Sequence, residues 1–278
     1  MNYRSMDKKD IQSYGYDLLC LFDRICAENH LTYFLSGGTL LGAIRHKGFI
    51  PWDDDVDVMM PRADFMKLQD VIGKYTSERY GYGSVYTDPE YMRPWARLWD
   101  TNTRMLNPSR FTDQTPHVFI DIFPIDGIPA GKTATKLFFR MMRVYDAACK
   151  MSKRKHIYMD ERLRVFKLAI YPFCLKVGGN RWARKMHDLA MKYPFGKTQF
   201  AGVSMTIKYG SREKLPAEVF ASSVDVDFCG RKFPAPVGWE SYLKALYRDY
   251  MKLPPEDQRD EHMFEFLALT DEHGNPIR

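Results

Sequence analysis

The residues able to do chemistry fall in three short stretches: Ser36-Gly37-Gly38-Thr39, Trp52-Asp53-Asp54-Asp55-Val56-Asp57-Val58, and Ile120-Asp121-Ile122. On a strand, residues two apart project to the same face. A strand through Val56, Val58 and Met59 therefore sets Asp55 beside Asp57 and turns the valines to the core. Two adjacent carboxylates repel, and without a cation one of them has its pKa raised. A hard divalent cation, Mg²⁺ or Mn²⁺, removes that conflict, because it takes oxygen ligands and keeps positions open for phosphate oxygens. Asp121 stands alone in the apolar run Val118–Phe123, where an unpaired carboxylate is costly. If this strand lies beside the first, Asp55, Asp57 and Asp121 form a three-carboxylate cluster that could hold metal during an in-line displacement. The competing readings are a solvated acidic loop or a calcium site without catalysis for Asp55 and Asp57, and a turn or cap carboxylate ahead of Pro124 for Asp121.

The Gly37-Gly38 turn supplies the other half. Glycines let backbone approach a phosphate closely, and free N–H groups at the start of the following helix favour an anion. The Ser36 and Thr39 hydroxyls could add donors. Phosphoryl transfer needs positive charge around the transferring group. Arg45, His46 and Lys47 precede the acidic loop, and Arg97 and Arg104 follow on later strands. Arg45, His46, Lys47 and Arg97 are the candidate substrate contacts.

The elements that must position these groups can be read from periodicity. Asp7 can cap a helix to about Asn29, with Ile11, Leu18, Leu19, Phe22, Ile25 and Cys26 on one stripe. Tyr33-Phe34-Leu35 reads as a short strand, Thr39–Arg45 as a short helix, and Pro61 as the first turn of the next helix. Strand-like segments follow at Ser84–Thr87, Trp95–Trp99, Thr103–Leu106 and Val118–Phe123. Candidate helices cover 132–154, 160–175 and 180–192, and a last one runs through Glu240–Tyr250. Segment 200–235 has no clear pattern. Strands and motifs thus fill the first half, and helices dominate the second.

The 278 residues, 45% hydrophobic and 27% charged, suffice for a large core and argue against disorder. No stretch approaches the ~18–20 apolar residues that span a bilayer. The N-terminus runs into an amphipathic pattern rather than an apolar signal core, so a cytoplasmic protein is expected. The five cysteines show no CxxC spacing and read as small buried side chains. From Gly131 to Lys185 there are fifteen Lys or Arg against three acids, a net +12 in a chain of net +6. That segment is either a helical pair with solvated basic faces or a surface that meets anionic lipid or an anionic acceptor. No nucleic-acid motif accompanies the charge.

The stretch Tyr33–Asp57 resembles, almost without interruption, the signature of the LicD family of phosphocholine transferases, related to fukutin and fukutin-related protein. Phe119-Ile120-Asp121-Ile122-Phe123-Pro124-Ile125-Asp126-Gly127 is similar to that family's second block, and Tyr242–Pro255 to its closing block. Such closing blocks often read Tyr-Gly-Asp where this chain has Tyr247-Arg248-Asp249. The resemblance implies an α+β nucleotidyltransferase fold of the DNA polymerase beta type, a small mixed sheet flanked by helices, with a helical C-terminal half. It also implies divalent metal, a CDP-linked donor and a glycan or lipid-linked sugar acceptor. Asp55 and Asp57 would hold metal, and Asp121 would complete the cluster and take the acceptor proton. A choline donor would call for aromatic walls around its quaternary ammonium, with Trp52 and Trp95 as candidates. The expected organisation is a catalytic core over 1–130, a basic, mainly helical acceptor- or membrane-facing region over 131–235, and a C-terminal helix and tail over 236–278 packing back on the core. Two other functions remain open at this level: a nucleotidyltransferase that adds NMP from an NTP, and a non-catalytic nucleotide-binding scaffold.

Overall fold

The computed structural model of the chain describes residues 2–106, 117–154, 164–259 and 265–277. In chain order the strands are β1 (Asn2–Ser5), β2 (Phe34–Leu35), β3 (Val56–Pro61), β4 (Tyr80–Gly83), β5 (Ala96–Asp100), β6 (Thr103–Met105), β7 (Val118–Ile128), β8 (Phe200–Gly202), β9 (Leu215–Pro216), β10 (Ser223–Phe228), β11 (Arg231–Pro236) and β12 (Phe266–Thr270). The helices are α1 (Lys8–Glu28), α2 (Gly37–His46), α3 (Arg62–Val71), α4 (Lys132–Ser152), α5 (Arg164–Val177), α6 (Gly179–Ala190) and α7 (Trp239–Tyr247).

A mixed sheet runs β2-β3-β7-β5-β4, with β8 added along the far half of β7 and β9 on β8. Among its described strands β3 and β7 pair parallel, while β2, β5, β4, β8 and β9 pair antiparallel. Helix α1 covers one face. Its Asp7–Asp10 capping box closes the N-terminus, with the Asp10 N–H donating to Asp7 Oδ1 at 2.8 Å and the Asp7 N–H to Asp10 Oδ2 at 3.2 Å. Its buried stripe (Ile11, Tyr14, Leu18, Phe22, Ile25) lies in the main core with Val56, Val58, Leu98 and Ile120 of the sheet. This is a mixed α+β molecule with a small mixed sheet flanked by helices.

Strand β7 runs beyond the apolar segment read from the sequence, through Pro124 to Ile128. A proline has no N–H for the ladder and is normally confined to edges. Here β5 pairs with β7 only as far as Ile122, and β8 begins at Asp126. Pro124 occupies the gap between these two partners, so one strand can serve both. Residues 84–87, expected as a strand, form a turn in which the Ser84 N–H donates to Thr87 Oγ1 at 3.1 Å and the Thr87 N–H to the Ser84 carbonyl at 3.3 Å. The strand before it is β4.

The second half is not uniformly helical. Helices fill 132–152, 164–177 and 179–190, and residues 160–163 of the expected second helix lie outside the described residues. The unpatterned segment 200–235 holds β8 to β11. Strands β10 and β11 form a hairpin in which Phe228 pairs with Arg231, leaving the two-residue loop Cys229-Gly230, both at positive φ (51° and 80°). That is the backbone of a tight, right-twisting hairpin turn, more often made by Asn-Gly.

A buried ionic clamp ties the layers together. Arg62 at the start of α3 donates to both oxygens of Asp126 on β7, at 2.8 and 2.5 Å, and its Nη1 lies 2.8 Å from His187 Nδ1 on α6. All three residues are buried. Burial, and then the Arg62 charge, pushes the His187 pKa well below 6.5, so the neutral ring accepts the Arg62 N–H at Nδ1. Removing one member of such a group strands the others in low dielectric. Arg62→Met is therefore expected to lower unfolding free energy by about 3–5 kcal/mol. A urea midpoint unchanged from wild type would contradict this role.

Candidate active site

The floor of the site is set by strand register. Asp57 on β3 pairs with Asp121 on β7, and Asp121 pairs in turn with Arg97 on β5. Register partners share a face of the sheet, so the three side chains stand in the row Asp57, Asp121, Arg97. Arg97 Nε donates to Asp121 Oδ1 at 2.6 Å and Nη2 to Oδ2 at 3.3 Å. The guanidinium carbon sits 3.3 Å from the centre of the Phe119 ring. Arg97 was expected to contact substrate; instead it is buried and engaged with Asp121, and it is absent from the lining of the cavity above. Asp121 lies in mid-strand, which rules out the turn or cap reading for it.

That cavity has a volume of about 940 Å³. Asp53, Asp55, Asp57 and Asp121 all line it. Strand β3 begins at Val56, so Asp55 is the last residue of the loop rather than part of the strand. Among the described residues, the one group of three carboxylates with ligand oxygens all within 4.8 Å of one another is Asp53, Asp54 and Asp55. The expected trio Asp55, Asp57 and Asp121 shares the cavity without being that compact. Asp54 is buried on another side, beside Ile11, Val118, Phe119 and Phe266. The donor set facing the cavity is all carboxylate oxygen, which suits hard cations of the Mg²⁺ or Mn²⁺ type rather than metals preferring nitrogen or sulfur.

The glycine turn is shaped by these carboxylates. Gly37 has φ 51°, and a Cβ there would stand 3.0 Å from Asp57 Oδ2; a Cβ on Gly38 would stand 2.6 Å from Asp53 Oδ2. The glycines therefore make room for the acids as they approach the start of α2. The hydroxyls expected to meet phosphate already have partners within the protein. Thr39 Oγ1 accepts the Asp57 N–H at 2.8 Å, and Ser36 Oγ is hydrogen-bonded to the Tyr242 hydroxyl at 3.0 Å. The Gly37 N–H also donates to that hydroxyl, at 3.3 Å. Through Tyr242, helix α7 is fastened to the turn. Ser36, Gly37 and Gly38 line the cavity; Thr39 does not.

Of the basic residues before the acidic loop, Arg45 lines the cavity. Its Nη1 donates to the Tyr250 carbonyl at 3.0 Å, which links α2 to the chain after α7. His46 Nδ1 accepts from Arg45 Nε at 3.4 Å; burial, and then the Arg45 charge, pushes its pKa below 6.5. Lys47 is the exposed left-handed cap of α2 and its carbonyl accepts the Cys229 N–H at 2.8 Å. Neither His46 nor Lys47 lines the cavity. Sequence reasoning missed Lys208, Arg248 and Lys252, which do line it. Arg248 holds φ 60° and ψ −110° at the end of α7, so arginine carries backbone geometry that glycine would adopt freely. Its place in the closing block was the available signal.

Both aromatic candidates reach the cavity, in different states. Trp52 has the Arg259 guanidinium carbon 4.5 Å and that of Arg45 5.9 Å from its ring centre, so side-chain cations already stack on it. Trp95 is tilted against Phe123 at 5.3 Å, and its buried Nε1–H has no hydrogen-bond partner among the described residues. Glu213, which no sequence pattern marked, also lines the cavity while almost wholly buried, and its Oε2 has no hydrogen-bond partner among the described residues. Burial raises its pKa from 4.5 to about 8, partly opposed by bonds from Val203 and Thr206.

The profile of the family described as LicD/FKTN/FKRP, nucleotidyltransferase domain, matches residues 30–158. Lipopolysaccharide cholinephosphotransferase LicD of Haemophilus influenzae is 31% identical over 258 residues, covering 91% of this chain and 95% of that protein. An uncharacterized protein of Rickettsia prowazekii is 36% identical over 84 residues, 30% of each chain.

Two outcomes are expected from this geometry. Because Glu213 holds its proton in the folded state, the stability it gives is fully present below pH 4.5 and is lost as the pH rises through about 8. Glu213→Gln cannot titrate, so its thermal midpoint should fall less than that of wild type across this window; parallel profiles would contradict the assignment. Arg248→Gly relieves roughly 1–3 kcal/mol of strain, offset by about 1 kcal/mol of unfolded-chain entropy. It should melt no lower than wild type yet bind a phosphate-bearing ligand about tenfold more weakly. A lower melting point with unchanged binding would refute that reading.

Proposed function

The chain belongs to the LicD/FKTN/FKRP family, and on that premise we propose that it transfers phosphocholine, or a related phosphoalcohol, from a CDP-activated donor to a hydroxyl of a bacterial glycan or glycolipid. The H. influenzae relative is named for lipopolysaccharide, so a lipid-linked sugar is the acceptor class favoured here. The observation that carries the reading is one cavity lined both by Asp53, Asp55, Asp57 and Asp121 and by Arg45, Lys208, Arg248 and Lys252. Carboxylates suit a metal and an attacking hydroxyl; the cations suit a nucleotide's phosphates. The core over 1–130 is read as the nucleotidyltransferase fold of the DNA polymerase beta type. Residues 131–235 are read as the acceptor- and membrane-facing part, and 236–278 as the segment that closes the site.

In this account the acceptor hydroxyl attacks the phosphorus that carries the alcohol. The bond from that phosphorus to the bridging oxygen breaks, and CMP leaves with the bond's electrons. The hydroxyl proton passes to Asp121, at Oδ2, the oxygen that Arg97 holds at the longer distance of 3.3 Å. Arg97 orients that carboxylate from the neighbouring strand β5. Arg45, Lys208, Arg248 and Lys252 bind and orient the diphosphate, and Trp95 and Phe123 give the transferred alcohol an aromatic wall. Mg²⁺ or Mn²⁺, held by Asp55, Asp57 and Asp121 with Asp53 alongside, would supply charge stabilisation for the phosphate oxygens. The reaction is placed at the cytoplasmic face of a membrane. Contact with it is read as peripheral; among the described residues no helix is long and apolar enough to cross one.

The test is CMP release and product formation with CDP-choline, CDP-ribitol, CDP-glycerol or CTP, each with and without Mg²⁺, using a lipid-linked glycan acceptor. Metal-dependent use of one CDP-alcohol is expected. Asp57→Asn and Asp121→Asn should each lower turnover by at least about a hundredfold without loss of fold. Pyrophosphate release from CTP would favour NMP transfer instead, and full activity of both variants would sink the catalytic reading.

A further inference from the structure

Helix α5 turns its apolar stripe outward. Val165 is 83% exposed, Phe173 60% and Leu168 45%, and Ala169 and Pro172 between them are exposed as well. The spacing 165, 168, 169, 172, 173 is one face of a 3.6-residue helix, the pattern that normally faces a core. The helix is held from its other side: Cys174 is buried, and the Tyr171 hydroxyl donates to the Arg154 carbonyl at 2.9 Å. A contiguous exposed apolar stripe on an anchored helix marks a partner surface.

Charge decides which partner. Helix α5 packs against α4 and α6, and exposed Arg140 and Arg143 on α4 and Arg181, Arg184 and Lys185 on α6 belong to the same basic segment, whose net charge is +12. Pairing two copies through α5 would press two such segments together. From Val165 to Phe173 the stripe also measures only about 12 Å at ~1.5 Å per residue, and across a helix ~10 Å wide it offers on the order of 120 Å², far short of the roughly 800 Å² per partner of a stable dimer. An anionic bilayer meets both features at once: apolar side chains enter the headgroup–acyl boundary while lysines and arginines bind headgroups.

We propose that α5 is a membrane-docking helix whose Val165–Leu168–Ala169–Pro172–Phe173 stripe inserts into the surface of an anionic bilayer. Asp146 and Lys150 of the adjoining α4 line the catalytic cavity, so docking through α5 would hold that cavity close to the bilayer. The proposal stands on the α5 surface and does not need the phosphotransferase reading.

The test is sedimentation of the full chain with vesicles of phosphatidylcholine alone or with about a third phosphatidylglycerol. Wild type should bind the anionic vesicles and release in high salt. Leu168→Glu with Phe173→Glu should lower binding at least about tenfold, and so should Val165→Glu alone, whose site is the most exposed. The Phe173 ring also stands edge-on to Trp182 of α6 at 5.9 Å, so the double variant should melt somewhat lower, whereas the Val165→Glu melt and the CDP-alcohol binding of both variants should stay as in wild type. Equal pelleting of the folded variants, or binding indifferent to lipid charge and salt, would overturn the proposal. So would a wild-type dimer that the same substitutions dissociate while vesicles pellet nothing.

Discussion

Asp57 and Asp121 are brought together by the register of two parallel strands, and much of the surrounding structure manages that meeting. Neighbouring strands lie about 4.8 Å apart, where two like charges repel by roughly 3 kcal/mol at an effective dielectric near 20. Arg97 offsets this from the third strand by gripping Asp121 with two hydrogen bonds. The Asp57 backbone is fixed by Thr39, and its carboxylate lies close against Gly37, where a Cβ would stand 3.0 Å from Oδ2 and the backbone holds φ 51°. The site is thus a packed arrangement of charges whose geometry is inherited from the sheet, and side chains assigned by type to the ligand turn out to hold the carboxylates in place.

Closure comes from distant parts of the chain. Tyr242 fastens α7 to the glycine turn, Arg45 holds the chain after α7, and the β10–β11 hairpin reaches the end of α2 through the Cys229–Lys47 bond. Besides Arg45 of α2 and Lys150 of α4, cations reach the cavity from the loop after β8 (Lys208) and from the segment after α7 (Arg248 and Lys252). Arg248 concentrates the compromise, since a long cationic side chain is placed where the backbone suits glycine. Local strain of this kind is often found at functional positions.

What was legible in the sequence is what local pattern determines. The stripe of α1, the alternation of Val56 and Val58, the apolar run around Asp121 and the basic helices follow from periods of 3.6 and 2, which need no knowledge of partners. The same alternation paired Asp55 with Asp57, although Asp55 stands in the loop before β3, and Asp121 reaches them through a strand pairing that no local period gives. What was not legible depends on pairing. The role of Arg97 requires knowing that β5 lies beside β7, and Pro124 inside a strand makes sense only once β5 and β8 share that strand. The hairpin of segment 200–235 was hidden because Cys229-Gly230 is an unusual pair for its turn. Glu213 carried no signal at all, because its burial comes from elements far along the chain. The two glycines were found by type, but the atoms that come close to them, the Asp53 and Asp57 carboxylates, appear only in three dimensions.

The most direct test of the central claim, that strand register builds a cation-holding carboxylate site, is Mn²⁺ binding followed by electron paramagnetic resonance. Wild type should bind Mn²⁺ in a way that Mg²⁺ displaces, and Asp57→Asn or Asp121→Asn should weaken binding severalfold or more while circular dichroism stays unchanged. Mn²⁺ affinity unaltered in both folded variants would contradict the account.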